Sequence, residues 1–253
     1  MLKHREGVLS DVKAIAATVR RTSPDTLIVV DGVCSVGSEE AKMDAWGLDV
    51  VTTASQKGLG APPGLCILVA SQRAIEKVFK LRKTPVTTYF ASWEKWIPIM
   101  RAYDNKIAAY FATPPVNLIR AYHASLTQLT RCSPSLDERY RIHKQVSRRV
   151  KALADQLGLS LVTRDTAYAA NGMTAIYLPD GLSASDVVPR MASRGVTIAA
   201  GLGDAKDKYI RIGHMGTSVV DAERGDVDRI AKTLRASFDE AKNAKKAIVE
   251  ESP

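Results

Sequence analysis

The sequence is poor in cysteine and contains no long hydrophobic run. The three cysteines, Cys34, Cys66 and Cys132, stand far apart, and none belongs to a CxxC pair. They cannot build a disulfide framework, and we expect neither a metal site nor a redox motif. No apolar stretch reaches the roughly 18 residues of a membrane span. The charged start at residues 1–5 is not followed by an apolar stretch, so we expect no secretory signal and a soluble intracellular protein.

Acidic residues are outnumbered by basic ones. The chain has 36 Lys and Arg against 27 Asp and Glu, a net charge of +9, which suits anionic ligands or a nucleic-acid surface. Most basic residues of a predicted helix at 135–158 lie off its apolar stripe, which favours a solvated helix face. The sequence contains no nucleic-acid-binding motif, so we predict no such partner. A hydrophobic content of 45% is enough for a core.

Helical and strand patterns alternate through the first half of the chain. Apolar spacing and β-branched runs predict helices at 8–20, 39–47, 72–80 and 115–130, and strands at 26–30, 49–54 and 65–70. The aromatic stretch 84–117 is predicted to be an irregular loop that lines a site or an interface. The alternation indicates an α/β fold with a mainly parallel sheet, although the third strand follows a short loop and could run antiparallel.

The second half of the chain begins after Ser133-Pro134-Ser135, which separates two predicted helices. Ser135 and Glu138 fit a capping box for the long helix that follows. Further patterns predict strands at 159–162, 173–178, 196–198 and 209–212, and helices at 185–194 and 226–242. We therefore predict two domains, a partial large domain at 1–132 and a small C-terminal α+β domain at 133–253.

An acid and a lysine follow two neighbouring predicted strands. Asp31 ends the first strand, and Lys57 lies just after the second. Because the carboxyl ends of parallel strands meet at one ligand crevice, the two side chains are expected to lie close together. A lysine that forms a Schiff base and an acid that keeps a pyridine nitrogen protonated are what pyridoxal phosphate (PLP) requires. Spacing alone leaves two other interpretations open, a turn at Asp31-Gly32 and a surface lysine at Lys57.

The residue sequences of these segments are more specific evidence than the spacing of Asp31 and Lys57. The chain reads VVDGVCSVG at 29–37, ASQKGLGAPPG at 54–64, AYFATPPV at 109–116 and YIRIGHMG at 209–216. In these segments it resembles the alanine–glyoxylate (serine–pyruvate) aminotransferases, which are class V, fold type I PLP enzymes. The resemblance implies a PLP-dependent transfer of an amino group from alanine or serine to glyoxylate or pyruvate. With glyoxylate as acceptor the product is glycine, so glyoxylate metabolism and glycine biosynthesis are implied.

The resemblance implies a role for each matching residue. Lys57 would be the Schiff-base lysine and would also move the substrate α-proton. Asp31 would pair with the pyridine nitrogen, Val33 would pack on one face of the ring, and Gln56 would contact the cofactor phosphate. Arg211 would hold the substrate α-carboxylate with a bidentate fork.

The resemblance also implies a homodimer, through the roles that it gives to two further residues. Tyr110 and Thr113 would reach the phosphate of the cofactor bound by the other subunit, although plain loop packing stays open for both. His214 is expected to be structural, since Lys57 already serves the proton transfer. The implied substrates are a small amino acid and a 2-oxo acid. Peroxisome, mitochondrion and cytosol all remain open as compartments.

Another fold type I enzyme remains an alternative. Cysteine desulfurases share the fold, but they place a histidine directly before the lysine and need a reactive cysteine on a loop. Here Gln56 precedes Lys57, and the three cysteines read as small buried hydrophobes. Aminotransfer is therefore favoured over sulfur transfer.

The departure from the family lies at the start of the chain. The resemblance implies a long preceding part with several strands, a helix N-terminus for the phosphate and an aromatic residue stacked on the ring. Here HREGV at 4–8 lacks the hydroxyl residues that the family carries in this segment. We expect an N-terminally truncated portion of such an enzyme, with a non-catalytic subunit as the alternative.

Overall fold

The computed structural model describes residues 6–250. The start at 1–5 and the His4 and Arg5 positions of the HREGV segment lie outside the described residues. Two three-stranded sheets and the helices around them form the described part. The helices are α1 (Val12–Thr22), α2 (Gln72–Leu81), α3 (Trp93–Asp104), α4 (Val116–Arg131), α5 (Leu136–Gln156), α6 (Ala184–Ser193), α7 (Thr217–Val220) and α8 (Asp226–Glu250). The strands are β1 (Val29–Asp31), β2 (Val50–Ala54), β3 (Cys66–Ala70), β4 (Met173–Tyr177), β5 (Ala199–Ala200) and β6 (Tyr209–Gly213).

The first sheet has the order β1-β2-β3. β1 and β2 run parallel, while β3 pairs antiparallel with β2. The antiparallel direction of β3 is one of the two directions considered from the sequence, because the loop before this strand is short. Because β1 and β2 are parallel, their carboxyl ends lie at the same edge, and the segments after Asp31 and Ala54 begin there.

Buried Asp49 fixes the start of β2 against its neighbours. Its carboxylate accepts a hydrogen bond from the Ile28 backbone N–H at 2.7 Å and pairs with the guanidinium groups of Arg20 and Arg73. Both arginines belong to helices that cover the sheet, α1 and α2. A buried charge that is paired and hydrogen-bonded in this way holds strands and helices in one arrangement.

The second sheet has the order β4-β6-β5, and both pairings are antiparallel. Helices α5, α6 and α8 bury their apolar faces against it. The centre of this core is formed by side chains with no exposed surface: Ile176, Val187, Met191, Ile210, Ile212, Leu234 and Phe238. β6 is the central strand, so a residue on it is held from both sides.

Four local predictions differ from the structure. The predicted strand 196–198 is irregular, and the strand β5 lies directly after it at Ala199–Ala200. The stretch 39–47 forms turns rather than a helix, because Glu39 is buried and its carboxylate bonds to a distant segment. The predicted loop 84–117 contains α3, whose helical period is obscured by its exposed aromatic residues. The predicted strand 159–162 is reduced to a single bridge between Leu161 and Ile176.

The capping box of α5 is half formed. Ser135 accepts a hydrogen bond from the Glu138 backbone N–H at 3.3 Å, as a cap should. The Glu138 carboxylate does not return to Ser135 but pairs with Arg141 one turn later. The helix start is thus where the sequence places it.

The two sheets belong to separate stretches of chain, 29–70 and 173–213. The division at residue 132 remains a prediction. Across residues 6–250, none of the helices combines the length and the apolarity that a membrane crossing requires.

Candidate active site

Asp31 and Lys57 follow the two parallel strands at one edge of the first sheet. Asp31 is exposed, and its Oδ1 accepts a hydrogen bond from the Val33 backbone N–H at 3.0 Å. This bond holds the carboxylate over the turn that begins at Gly32. Lys57 is half-buried, and its ammonium group makes no hydrogen bond or ion pair within residues 6–250. A half-buried amine without a protein partner is available to a ligand.

Two glycines hold the Asp31 turn against the Lys57 loop. A Cβ added to Gly37 would stand 2.6 Å from the carbonyl carbon of Gly58. A Cβ added to Gly58 would stand 2.6 Å from the carbonyl oxygen of Val36. Only glycine permits backbones to approach this closely. The contact fixes the position of Lys57 relative to Asp31.

The loop after Lys57 is closed by buried Ser55. Its Oγ donates to the carbonyl of Pro62 at 2.6 Å, and its own carbonyl accepts from the Ala61 N–H at 2.9 Å. Gln56 lies beside it with an exposed side chain. The loop is therefore rigid at its base, while the amide of Gln56 remains free to meet a ligand.

Arg211 is held in the middle of the second sheet. It lies on β6 opposite Ala175 of β4 and Ala199 of β5. Its Nε donates to the carbonyl of Ala200 at 2.8 Å, which fixes the plane of the guanidinium. None of the ion pairs in the described chain includes Arg211. Two alanine neighbours leave room around an oriented cation that can bind a carboxylate.

The Cys34 thiol experiences charges from both sheets. Burial raises the pKa of this thiol, Lys57 and Arg211 lower that pKa, and Asp31 raises it further. The sequence analysis treated Cys34 as a small hydrophobe and missed this location. Its place three residues after Asp31, in the same turn, was the available signal.

His214 is buried three residues after Arg211. Its Nε2 lies 2.8 Å from the Thr174 hydroxyl, and the ring has almost no exposed surface. Burial lowers the pKa of His214 to about 4, helped by the positive charge of Lys151. The imidazole is thus neutral near pH 7 and packed inside the protein. A structural role, as predicted, fits this environment.

Tyr110 and Thr113 lie on the surface of the chain. Both side chains are exposed, Tyr110 to 72%, and within the described residues no hydrogen bond joins either to Lys57 or Gln56. Between them, Phe111 packs in a cluster of aromatic rings with Tyr89, Phe90 and Trp96. Their predicted contact with the cofactor of another subunit stays a prediction.

The gathered groups suit PLP better than a metal ion. Across residues 6–250, no three His, Cys, Asp or Glu side chains lie close enough to hold a metal ion. An unpartnered amine at Lys57 fits an aldehyde, and the carboxylate of Asp31 fits a protonated ring nitrogen. Gln56 offers an amide to the phosphate, and Arg211 offers two free N–H groups to a carboxylate.

Comparison with known proteins yields one consistent family. The family described as Aminotransferase class-V matches residues 2–246. Alanine–glyoxylate aminotransferase 1 of Saccharomyces cerevisiae is 43% identical over 215 residues, which are 83% of this chain and 54% of that protein. L-aspartate–glyoxylate aminotransferase of Paracoccus denitrificans is 33% identical over 85% of this chain and 52% of its own length.

A solved structure shares the fold. The crystal structure of alanine–glyoxylate aminotransferase from Nostoc sp. superimposes with a TM-score of 0.81 at 26% identity. The match covers 94% of this chain and 60% of that one. The α/β fold of the type I PLP aminotransferases, predicted from the sequence, is confirmed by this neighbour. The chain spans about half the length of the curated relatives it matches.

Proposed function

The chain belongs to the class-V aminotransferases, and on that premise we propose that the protein is a PLP-dependent aminotransferase. It transfers the amino group of alanine, or of serine, to glyoxylate or pyruvate. The observation that carries the proposal is that Lys57, a half-buried amine with no partner among residues 6–250, lies beside the Asp31 turn at one edge of two parallel strands. Alanine and glyoxylate are the first pair to test, because the most identical of the relatives described above is an alanine–glyoxylate aminotransferase.

Lys57 is the reacting side chain of this proposal. PLP, when bound, supplies a ring that withdraws electrons from the substrate α-carbon. The unpartnered Nζ of Lys57 would hold the cofactor through its aldehyde group. The same amine would accept and return the proton of the substrate α-carbon. The loop locked by Gly58 keeps Nζ at a fixed position for both tasks.

Asp31, Val33 and Gln56 hold the cofactor in the proposal. The carboxylate of Asp31 keeps the ring nitrogen protonated, which maintains the electron-withdrawing power of the ring. Val33, whose N–H binds Asp31, packs against one ring face. Gln56 donates its amide to the phosphate.

Arg211 binds the substrate carboxylate. An amino acid and a 2-oxo acid share the α-carboxylate, so one fixed guanidinium serves both half-reactions. The hydrogen bond from Nε to Ala200 supports this role, because it orients the two free Nη groups before a ligand arrives.

A homodimer completes the proposal. Tyr110 and Thr113 then reach the cofactor phosphate of the other subunit. Their exposure supports this assignment, since a residue that serves a partner must lie on the surface of its own chain.

One observation favours the sulfur-transfer alternative. The positive charge of Lys57 acts on the Cys34 thiol and lowers its pKa. Two features favour aminotransfer instead. Burial raises the pKa of the thiol, so the reactive thiolate is disfavoured. Cys34 also lies in the turn locked by Gly37, not on a loop that could carry sulfur away.

The test is an amino-transfer assay of the purified chain with added PLP. Alanine, serine and aspartate are each paired with glyoxylate and pyruvate, and Lys57→Ala is compared with Lys42→Ala, a surface lysine paired with Glu40. We expect transfer that Lys57→Ala abolishes and Lys42→Ala preserves. Equal activity in the two variants would overturn the proposal. A chain that binds PLP at Lys57 without turnover would identify a non-catalytic subunit.

A further inference from the structure

A short buried segment connects the two halves of the candidate site. Residues 169–172 directly precede β4, and they pack against the turn that follows β1. A Cβ added to Gly172 would stand 2.9 Å from the hydroxyl oxygen of Ser38. The segment therefore lies against the same turn that holds Asp31.

Glu39 binds this segment from the side of the first sheet. It is only 6% exposed, and each carboxylate oxygen accepts one hydrogen bond from Asn171. Oε1 accepts from the backbone N–H, and Oε2 accepts from Nδ2 at 2.7 Å. The Glu39 backbone is itself fixed, because its N–H donates to the carbonyl of Ser35 at 2.8 Å. A buried carboxylate with both oxygens satisfied is a strong and directional contact.

Lys151 of α5 binds the same segment through a neighbouring residue. Its Nζ donates to the carbonyl of Ala170 at 2.9 Å and to the hydroxyl of Ser147 at 2.7 Å. Burial raises the pKa of Glu39 and lowers the pKa of Lys151, while the two opposite charges favour each other's ionised form. Two complementary charges thus hold one segment.

The segment continues directly to Arg211. The carbonyl of Gly172 accepts the His214 backbone N–H at 2.9 Å, and β4 pairs with β6 so that Ala175 lies opposite Arg211. In the other direction, the turn that carries Glu39 contacts the Lys57 loop through Gly37 and Gly58. A continuous series of contacts therefore links Lys57 to Arg211, and Glu39 joins its two halves through two hydrogen bonds with Asn171.

We propose that Glu39 is a positioning residue that sets the placement of Arg211 relative to Lys57 through Asn171. The inference rests on the proposed function, because the placement matters when a substrate carboxylate on Arg211 must bring its α-carbon to Lys57. Glu39 touches neither reacting group and acts through the β4–β6 pair. Its loss weakens the hold on substrate and leaves cofactor attachment at Lys57 intact.

The neighbouring glutamate offers a matched control. Glu40 is exposed and pairs with Lys42 at 2.7 Å on the surface. Glu39→Gln and Glu40→Gln remove the same charge one residue apart. Both carboxylate oxygens of Glu39 face N–H donors of Asn171. In Glu39→Gln an NH₂ group, which cannot accept, replaces one of these oxygens, so one of the two hydrogen bonds is lost. Asn171→Ala removes the Nδ2 bond alone and serves as the milder variant.

The first measurement needs no cofactor. Backbone hydrogen–deuterium exchange is followed in the peptides that contain 171–176 and 209–216. We expect exchange about tenfold faster in Glu39→Gln, a smaller increase in Asn171→Ala, and wild-type rates in Glu40→Gln. Wild-type protection in both Glu39→Gln and Asn171→Ala would overturn the proposal. Should Glu39→Gln fail to fold, Asn171→Ala alone decides.

The second measurement uses the PLP-loaded chain. We expect Glu39→Gln to raise KM for amino donor and oxo-acid acceptor by a similar factor, about tenfold, with a smaller change in kcat. Labelling of Lys57 by borohydride is expected to stay at the wild-type level. A fall in kcat at unchanged KM would contradict the proposal, because Glu39 would then act on the chemistry.

The two measurements distinguish failure of the proposed function from failure of the positioning role of Glu39. If wild-type Lys57 takes no label and no transfer occurs, the proposed function fails, while the exchange rates still decide whether Glu39 holds Arg211 in place. If transfer occurs and neither exchange nor KM responds to Glu39→Gln, the positioning role fails alone.

Discussion

Lys57, Asp31 and Arg211 share one property at the residue scale: each carries a charge that no ion pair within residues 6–250 neutralises. Lys57 and Arg211 are also partly buried, where an unpaired charge is costly for a fold and useful for a ligand. The sequence predicted Asp31 and Lys57 from their motifs and from their positions after two strands, and it predicted Arg211 from its motif alone. It could not predict the role of Glu39, whose carboxylate bonds to Asn171 more than a hundred positions away.

Arg211→Lys tests the carboxylate role at this scale. Lysine keeps the charge and loses the planar fork, so we expect KM for both substrates to rise roughly 10- to 100-fold. Cofactor attachment at Lys57 is expected to be unaffected. Steady-state kinetics with Arg164→Lys, at an exposed arginine, provide the control. A change in KM for one substrate only would argue against a shared carboxylate site.

His214 gives the protein a specific pH dependence. Its folded-state pKa of about 4 lies below the ordinary value of 6.5. Between these values the unfolded chain binds the extra proton, so the free energy of unfolding decreases as pH falls from about 6.5 to 4, by up to about 3 kcal/mol from this residue. Urea unfolding of His214→Gln is expected to show a weaker pH dependence than wild type. His123→Gln, at an exposed site, is expected to match wild type.

At the scale of elements, the site depends on how two loops touch. Gly58, directly after Lys57, packs against the chain itself at Val36 and Ser38, while Gly60 has open space around it. The positions of most strands and helices followed from periodicity. The false helix at 39–47 did not, because the burial of Glu39 overrides local preference.

Gly58→Ala tests this contact. The added Cβ would meet the Val36 carbonyl oxygen, so we expect a loss of about 1–3 kcal/mol in the free energy of unfolding and weaker PLP attachment. Gly213→Ala is the matched control, since neither glycine has a positive φ and nothing lies within 4 Å of a Cβ at Gly213. Urea unfolding midpoints check both. Equal unfolding midpoints in the two variants would mean that the Lys57 loop and the Asp31 turn can move apart without loss of stability.

At the scale of the whole molecule, the first sheet carries exposed apolar side chains. Val29 is 60% exposed, Val69 54% and Leu68 44%. Sheets usually cover such surfaces, and uncovered ones promote association. The sequence alone cannot specify which side chains form this surface, since exposure depends on what packs against each strand.

Val69→Lys tests that surface. A charge on β3 is expected to lower aggregation of the chain, measured by light scattering at increasing concentration, and to leave Lys57 labelling unchanged. Lys13→Ala, which alters an exposed charge on α1 away from the sheet, is the control. Unchanged scattering in Val69→Lys would show that association uses another surface, such as the exposed aromatic residues around Tyr110.

The central claim is that Lys57 is the residue that attaches PLP. The most direct measurement is to add PLP to the purified chain, reduce with borohydride and map the modified peptide by mass spectrometry. We expect a single stoichiometric label on Lys57, lost in Lys57→Ala. A folded chain that leaves Lys57 unlabelled, or spreads the label over exposed lysines, would contradict it.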